Sequence, residues 1–273
     1  MYEQTLKHIA ETLMQENIDV SGSGLLYGKM GLVVFFFHYA RYTGDNSFED
    51  YAMVLMDSIR EQIQQQHVIN YADGLAGIGV AVEYLAQNNF VEVDTHEVLE
   101  DFDKKVTFES VYGDRIHADL FTGLSGLGRY FLFRVTGHCA NDNHIGTLNN
   151  KMSLIHITDT FERMHYTLKG TEIEDACRFL DAMDKTDIYP TKVKRMIQLF
   201  NNNTLSKNQY DRICQYQKNI EVLHCSKYNE FLTYIQGNNY LDIHPGLYGG
   251  LAGIGLYLLS KLDKQHETWM QLL

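Results

Sequence analysis

The chain has 273 residues, 45% of them hydrophobic, and 23 basic against 35 acidic side chains give it a net charge of −12. A chain of this length can bury a sizeable core, and its negative charge argues against a nucleic-acid backbone or an anionic membrane as partner. Two prolines and no Pro-, Ser- or Gly-rich linker point to a single domain, 1–273, built of long helices. The N-terminal stretch MYEQTLKHIAETLMQEN carries charge throughout, so it reads as a helix over 2–15 and not as a signal peptide. An apolar run follows Gly28 (GKMGLVVFFFHYA); its densest part, 32–37, is far too short to span a bilayer. Residues 47–66 read as an amphipathic helix, with Phe48, Tyr51, Ala52, Leu55, Met56 and Ile59 at three- to four-residue spacing. A second apolar run follows Gly74 (GLAGIGVAVEYLA), and 94–105 reads as another amphipathic helix striped by Val98, Leu99 and Phe102. The third run follows Gly123 (GLSGLGRYFLFRV). The stretch 138–240 is richer in Asn and Lys, with amphipathic helices expected at 171–184, 191–201 and 207–217. The fourth run follows Gly250 (GLAGIGLYLLSKL).

Each apolar run opens on Gly-x-x-Gly: Gly28 and Gly31, Gly74 and Gly77, Gly123 and Gly126, Gly250 and Gly253. The intervals of 46 and 49 residues suit a repeated helical hairpin, whereas the last, 127, holds no further copy. A helix apolar on all faces is a buried one. Buried helices alternating with amphipathic ones describe two concentric layers, so the expected fold is all-α, a shortened α/α toroid. Glycine at the inner-helix starts permits close backbone approach and unusual φ values. It is also expected to leave free N–H groups and positive dipole ends facing a concave centre, suited to an anion or a metal-bound ligand. The plainer reading is that these glycines only allow tight packing. The four cysteines, Cys139, Cys177, Cys214 and Cys225, form no Cys-x-x-Cys pair. Without an export signal they are expected to be reduced thiols in the cytoplasm.

Four such phrases in this order resemble the lanthionine synthetase C-like family. DLFTGLSGLGRYFL (119–132) is similar to the family's Asp-containing repeat, and HPGLYGGLAGIGLYLLSKL (244–262) to its last repeat. LLYGKMGLVVFFFHYARYTGD and ADGLAGIGVAVEYLAQNNFVEVDTHEVLEDFDKK resemble short Bacteroidetes-type members. The resemblance implies the α/α toroid and an ancestral chemistry. In that chemistry a central zinc activates a peptide cysteine thiolate, which adds to a dehydroalanine or dehydrobutyrine and closes a thioether ring. An acid/base group handles the enolate proton. Asp119, four residues before Gly123, matches the family's acid; a dipole-stabilised helix-terminus carboxylate is the structural alternative.

The family's zinc ligands sit in a Trp-Cys-x-Gly phrase and in a Cys-His pair before Gly. Neither occurs here: the only tryptophan is Trp269, and His138-Cys139 and His224-Cys225 run in reverse order. The family's His-bearing repeat is missing too. No metal ligands are therefore assigned and no cofactor is expected. The donors left for a rearranged zinc site are His224, Cys225 and His244, or His138, Cys139 and His144. The reading that follows is a non-catalytic or accessory family member that binds a peptide substrate or a peptide-modifying enzyme. In it the four glycine pairs, His117 and His244 line a central cavity. One alternative is an active thioether cyclase with Asp119 as acid/base, helped by His117 and His244. Another is a glycoside hydrolase of the same architecture using Asp119 and Asp73, two carboxylates at inner-helix starts. An incompletely closed ring would expose apolar inner helices and call for a partner or a homo-oligomer to cover them.

Overall fold

A computed structural model describes residues 2–15, 20, 22–64, 67–113, 117–137, 144–203 and 244–273. In chain order the helices are α1 (Tyr2–Leu13), α2 (Lys29–Thr43), α3 (Asn46–Ile63), α4 (Leu75–Gln87), α5 (Thr95–Val98), α6 (Glu100–Tyr112), α7 (Leu124–Thr136), α8 (Ile145–Met164), α9 (Thr171–Asp184), α10 (Pro190–Asn203) and α11 (Leu251–Leu262), followed by a 3₁₀ segment, Lys264–Leu272. No strand occurs among the described residues. The expected helix at 207–217 lies outside them.

The chain groups into two compact units. One comprises the described residues within Met1–Val68, Ala72–Gly74 and Val222–Leu273; the other holds Ile69–Tyr71 and those within Leu75–Glu221. In the first unit α2 packs on α3 and α11, and α11 also meets α1 and the 3₁₀ segment. In the second, α7 packs on α4, α8 and α9, α6 on α8, and α9 on α10.

All four glycine-led runs are helices, and they are the buried ones. Every residue of α4 from Leu75 to Ala86 is buried, as is α11 from Leu251 to Ser260 and α2 from Met30 to Ala40. Each fully buried Leu, Val or Phe there contributes about 1.5–3 kcal/mol through removal from water. The partner helices show one buried stripe: α3 buries Ala52 and Ile59, and leaves Met53 and Val54 exposed. This is the alternation expected of α/α hairpins. Gly44, at φ 70°, ends α2 in the left-handed region that L side chains avoid, and α3 begins two residues later on an Asp45 carboxylate that accepts the Ser47 N–H at 3.0 Å.

Three local expectations need correction. The helix expected over 94–105 is broken at Leu99 and runs on to Tyr112; Val98 falls on the solvent side at 51% exposure, whereas Leu99, Phe102 and Val106 are buried. Asp94 caps the first turn by accepting the His96 and Glu97 N–H groups, and the break lies at Leu99, whose backbone leaves the helical region at φ −102° and ψ 8°. Helix α8 was not anticipated, because the polarity of its first half is inverted: Thr147, Asn150 and Ser153 are buried while Ile145, Leu148 and Met152 face water, and only its second half buries apolar side chains, Leu154, Ile157 and Phe161. The buried hydroxyls of Thr158 and Ser153 donate to the Leu154 and Asn149 carbonyls of their own helix. The 3₁₀ tail was not anticipated either; buried Trp269 and Leu272 hold it down.

The tail also places buried His266 against buried His38 of α2, with their Nδ1 atoms 2.8 Å apart, one donating to the other. Burial lowers both imidazole pKa values; Arg41 adds to the lowering at each, His266 does so at His38, and Asp263 opposes it at His266. The folded state therefore prefers the neutral rings. Their stabilisation is complete above the ordinary imidazole pKa and is lost as pH falls below about 6.5, by up to about 1.4 kcal/mol per pH unit for each ring. Urea midpoints measured from pH 7.5 down to 5.5 should fall more steeply for the wild type than for a His38→Leu/His266→Leu double variant. Equal slopes would show that the pair does not carry the effect.

Candidate functional site

Each glycine-led helix is entered through a loop that folds back on itself. The first N–H of α2 (Lys29) donates to the Gly22 carbonyl at 2.8 Å, that of α7 (Leu124) to His117 at 3.1 Å, and that of α11 (Leu251) to His244 at 2.8 Å. Ala76 of α4 donates to Ile69 at 3.2 Å with the same seven-residue span. In α11 the next two N–H groups are also taken, by Pro245 and Gly246. Loop carbonyls therefore take one of the orphan N–H groups at each of α2, α4 and α7 and three at α11, which leaves fewer of them for a ligand than expected.

The glycines are explained by the same geometry. Gly28, Gly123 and Gly250 cap their helices at φ −114°, −100° and −112°, extended values open to any residue. What excludes a side chain is proximity: a Cβ would lie 2.5 Å from the Gly22 carbonyl oxygen, 2.6 Å from that of His117 and 2.5 Å from that of His244, respectively. Close approach, not unusual φ, is the reason for glycine here. One turn inside, Gly31 faces the Leu25 carbonyl and the Leu247 Cβ, and Gly126 faces the Leu120 carbonyl and the Tyr71 Cβ. Gly77 and Gly253 are buried within α4 and α11.

In the second unit the loop before α7 carries Asp119. Its Oδ1 accepts the Thr122 N–H at 2.7 Å, and the Thr122 hydroxyl donates to Oδ2 at 3.0 Å. The carboxylate thus braces the turn before the Gly123 cap and is not itself the cap. Two carboxylates from α9 hold the same loop: Glu172 accepts the Ala118 N–H at 3.2 Å and Asp175 accepts the Leu120 N–H at 2.9 Å. Burial raises the Asp175 pKa, the Leu120 N–H and Arg178 oppose it, and Asp119 adds to it. His117 is largely exposed, with Nδ1 3.5 Å from Glu172. The sequence offered no sign of Glu172 or Asp175, because the helix that supplies them lies some fifty residues downstream of the loop.

In the first unit His244 lies edge-on to Tyr27, with 5.4 Å between ring centroids, and Tyr27 lies edge-on to Tyr248 at 6.2 Å. His244 Nδ1 accepts the Gly246 N–H at 2.9 Å, and a backbone hydrogen bond joins the ring to Tyr27. The first bond requires an unprotonated Nδ1, so Nε2 is the donating nitrogen. Burial lowers the His244 pKa against the pull of Asp73, and burial raises that of Asp73 against the pull of His244. Burial, Tyr248 and Asp73 raise the Tyr27 phenol. The backbones of these loops are joined as well: Leu26 donates to Ala72 and Tyr248 to Leu26, each at 2.9 Å. Tyr27 and Tyr248 escaped notice in the sequence, although each falls within two residues of a repeat glycine.

A zinc centre needs at least three protein donors at one point. Among the described residues no group of three His, Cys, Asp or Glu is placed to hold a metal ion. Among the described residues Asp73 is the carboxylate beside His244, whose nitrogens serve the backbone, and His144 stacks on His96 with 4.0 Å between centroids. His138, Cys139, Cys214, His224 and Cys225 lie outside the described residues. Cys177 is buried on α9 and forms no disulfide. No described helix is long and apolar enough to cross a membrane.

Comparison with known proteins agrees with the repeat pattern. No curated protein matches the chain. Among solved structures, nisin cyclase is similar with a TM-score of 0.44 and 10% identity, over 99% of this chain and 96% of the other. The family model described as lanthionine synthetase C-like protein matches residues 19–179, a span that contains the first three glycine repeats and Asp119. That match covers more than half of the sequence, and the chain belongs to the lanthionine synthetase C-like family.

Proposed function

We propose that this protein is a peptide-binding, accessory member of lanthipeptide-type modification that holds a precursor peptide, or the enzyme that modifies it, without closing thioether rings itself. The observation that carries this reading is the occupation of its chemistry-bearing groups. Asp119, the counterpart of the family's acid, is engaged by both the N–H and the hydroxyl of Thr122, and the His244 ring is engaged by the backbone on either side. The family's zinc-ligand phrases do not occur in the sequence. What remains around Tyr27, Tyr248 and His244 is an aromatic surface suited to contact without reaction.

The test uses a synthetic peptide with one cysteine and one dehydroalanine, incubated with the protein with and without added zinc. Ring closure is mass-neutral, so free thiol is counted by alkylation before mass spectrometry. The expected result is peptide binding with the thiol preserved. Loss of thiol that depends on Asp119 would overturn the accessory reading. It would favour the alternative of thiol addition with Asp119 as acid/base, for which the supporting observation is Asp175, a second carboxyl that α9 holds against the same loop and whose pKa burial raises.

Stability separates the two roles of Asp119. As a brace, Asp119→Ala should cost about 1 kcal/mol, while Asp119→Asn keeps an acceptor for the Thr122 N–H and should cost less. Urea unfolding of both variants checks this. Equal, wild-type stability in both would remove the bracing role.

A further inference from the structure

The second unit carries a groove of about 970 Å³ lined by α5, α6 and α8. Its walls are apolar where a surface is ordinarily polar. On α6, Phe108 and Tyr112 stand four residues apart, 63% and 73% exposed, with ring centroids 5.1 Å from each other. On α8, Ile145 and Met152 stand seven residues apart, 67% and 63% exposed. Four large apolar side chains on two packed helices line this one groove, the kind of exposed apolar surface that marks an interaction site. Their spacing gives each wall one helical ridge, the arrangement into which a third helix settles.

The charges around the patch select the occupant. Asp94, Glu97 and Glu100 line the groove beside Asp103, whose carboxylate is turned to Arg134, and Lys104 on the same lining is paired to Glu100 at 2.9 Å. A second copy of a chain with net charge −12 would bring acid against acid. A basic segment would be drawn in. We propose that this groove docks a cationic amphipathic helix, with apolar residues seated on Phe108, Tyr112, Ile145 and Met152 and Lys or Arg facing the carboxylates. None of these residues belongs to the loops assigned to peptide handling above, so the groove and the proposed function stand or fall separately.

The probe is a fluorescein-labelled synthetic helix with leucines at i, i+3, i+4 and i+7 and lysines elsewhere, titrated with the full chain and read by polarisation. Its twin carries glutamates in place of the lysines. The expected result is saturable binding of the lysine peptide alone, weakened by salt. A Phe108→Ser/Met152→Ser variant should weaken it by about tenfold or more. Glu97→Lys should weaken it without touching the apolar wall. The substituted residues are exposed, so melting should match the wild type and a lost signal would report the groove. The proposal falls if neither peptide binds, if both bind equally, or if the double serine variant binds as the wild type does. It also falls if sedimentation shows a dimer that Phe108→Ser dissociates, since the occupant would then be a second copy.

Discussion

Replacing Arg134 with alanine is expected to cost about 3–5 kcal/mol, a large part of the stability of any domain of this size. Arg134 of α7 is 1% exposed and Glu83 of α4 is fully buried. Its NH1 donates to Glu83 at 2.7 Å, while Nε and NH2 grip both oxygens of Asp103 on α6 at 3.0 and 2.9 Å. Tyr130 donates to the same Asp103 oxygen at 2.6 Å. Burial works against the guanidinium charge, but the hydrogen bonds and charge of Asp103 outweigh it and raise the pKa of Arg134 above its ordinary value. Burial, with Asp103 beside it, raises the Tyr130 phenol well above its own. One cation thus joins three helices, and removing it takes from the buried Glu83 carboxylate the guanidinium it pairs with. Urea unfolding of Arg134→Ala measures the loss. An Arg134→Met/Glu83→Leu double variant should recover part of it, because the fully buried Glu83 charge is removed as well and Asp103, 14% exposed, keeps the Tyr130 hydroxyl. A loss below about 1 kcal/mol in the single variant would mean that water reaches Glu83 and that the network is not a closed one.

The sequence made the apolar layer legible because composition alone reports it. Runs such as GLAGIGVAVEYLA have no polar face to present, and all four became buried helices behind a glycine. The amphipathic helices α3 and α9 were legible through periodicity. Helix α8 was not, since its first half buries threonine, serine and asparagine and exposes isoleucine, leucine and methionine, with an apolar buried stripe only in its second half. Its surface fits the docking groove, and that use is what periodicity cannot anticipate. At the candidate site the sequence marked Asp119, His117 and His244, but not what each touches. Asp119 meets Thr122 three residues away, whereas Glu172 and Asp175 reach the loop from α9. Local partners can be read from spacing, and partners brought by tertiary packing cannot. The glycines misled in one respect. They suggested open N–H groups, yet the close approach they permit is made by the loop's own carbonyls, which take at least one of those donors at every start.

That close approach gives the second large effect. At Gly126, in the first turn of α7, a Cβ would press on the Leu120 carbonyl oxygen inside van der Waals contact and lie 2.6 Å from the Tyr71 Cβ. Neither neighbour is the free end of a flexible side chain. The Leu120 N–H is held by Asp175, and Tyr71 is fully buried with its N–H on the Phe121 carbonyl at 3.1 Å. Relief therefore requires moving the 117–123 loop off the start of α7, and with it the brace that Asp119 makes to Thr122. Gly126→Ala should cost about 1–3 kcal/mol, and Gly126→Val, with two more methyl groups in the same space, more than about 3. At roughly 2–4 °C per kcal/mol, the valine variant should melt about 6 °C or more below the wild type. Gly22→Ala is the control, because a Cβ there meets nothing within 4 Å. If Gly126→Val melted with the control, the loop would be free to yield. Glycine at the helix starts would then need a reason other than the contact of backbone with backbone, and the nearest is access for a bound peptide.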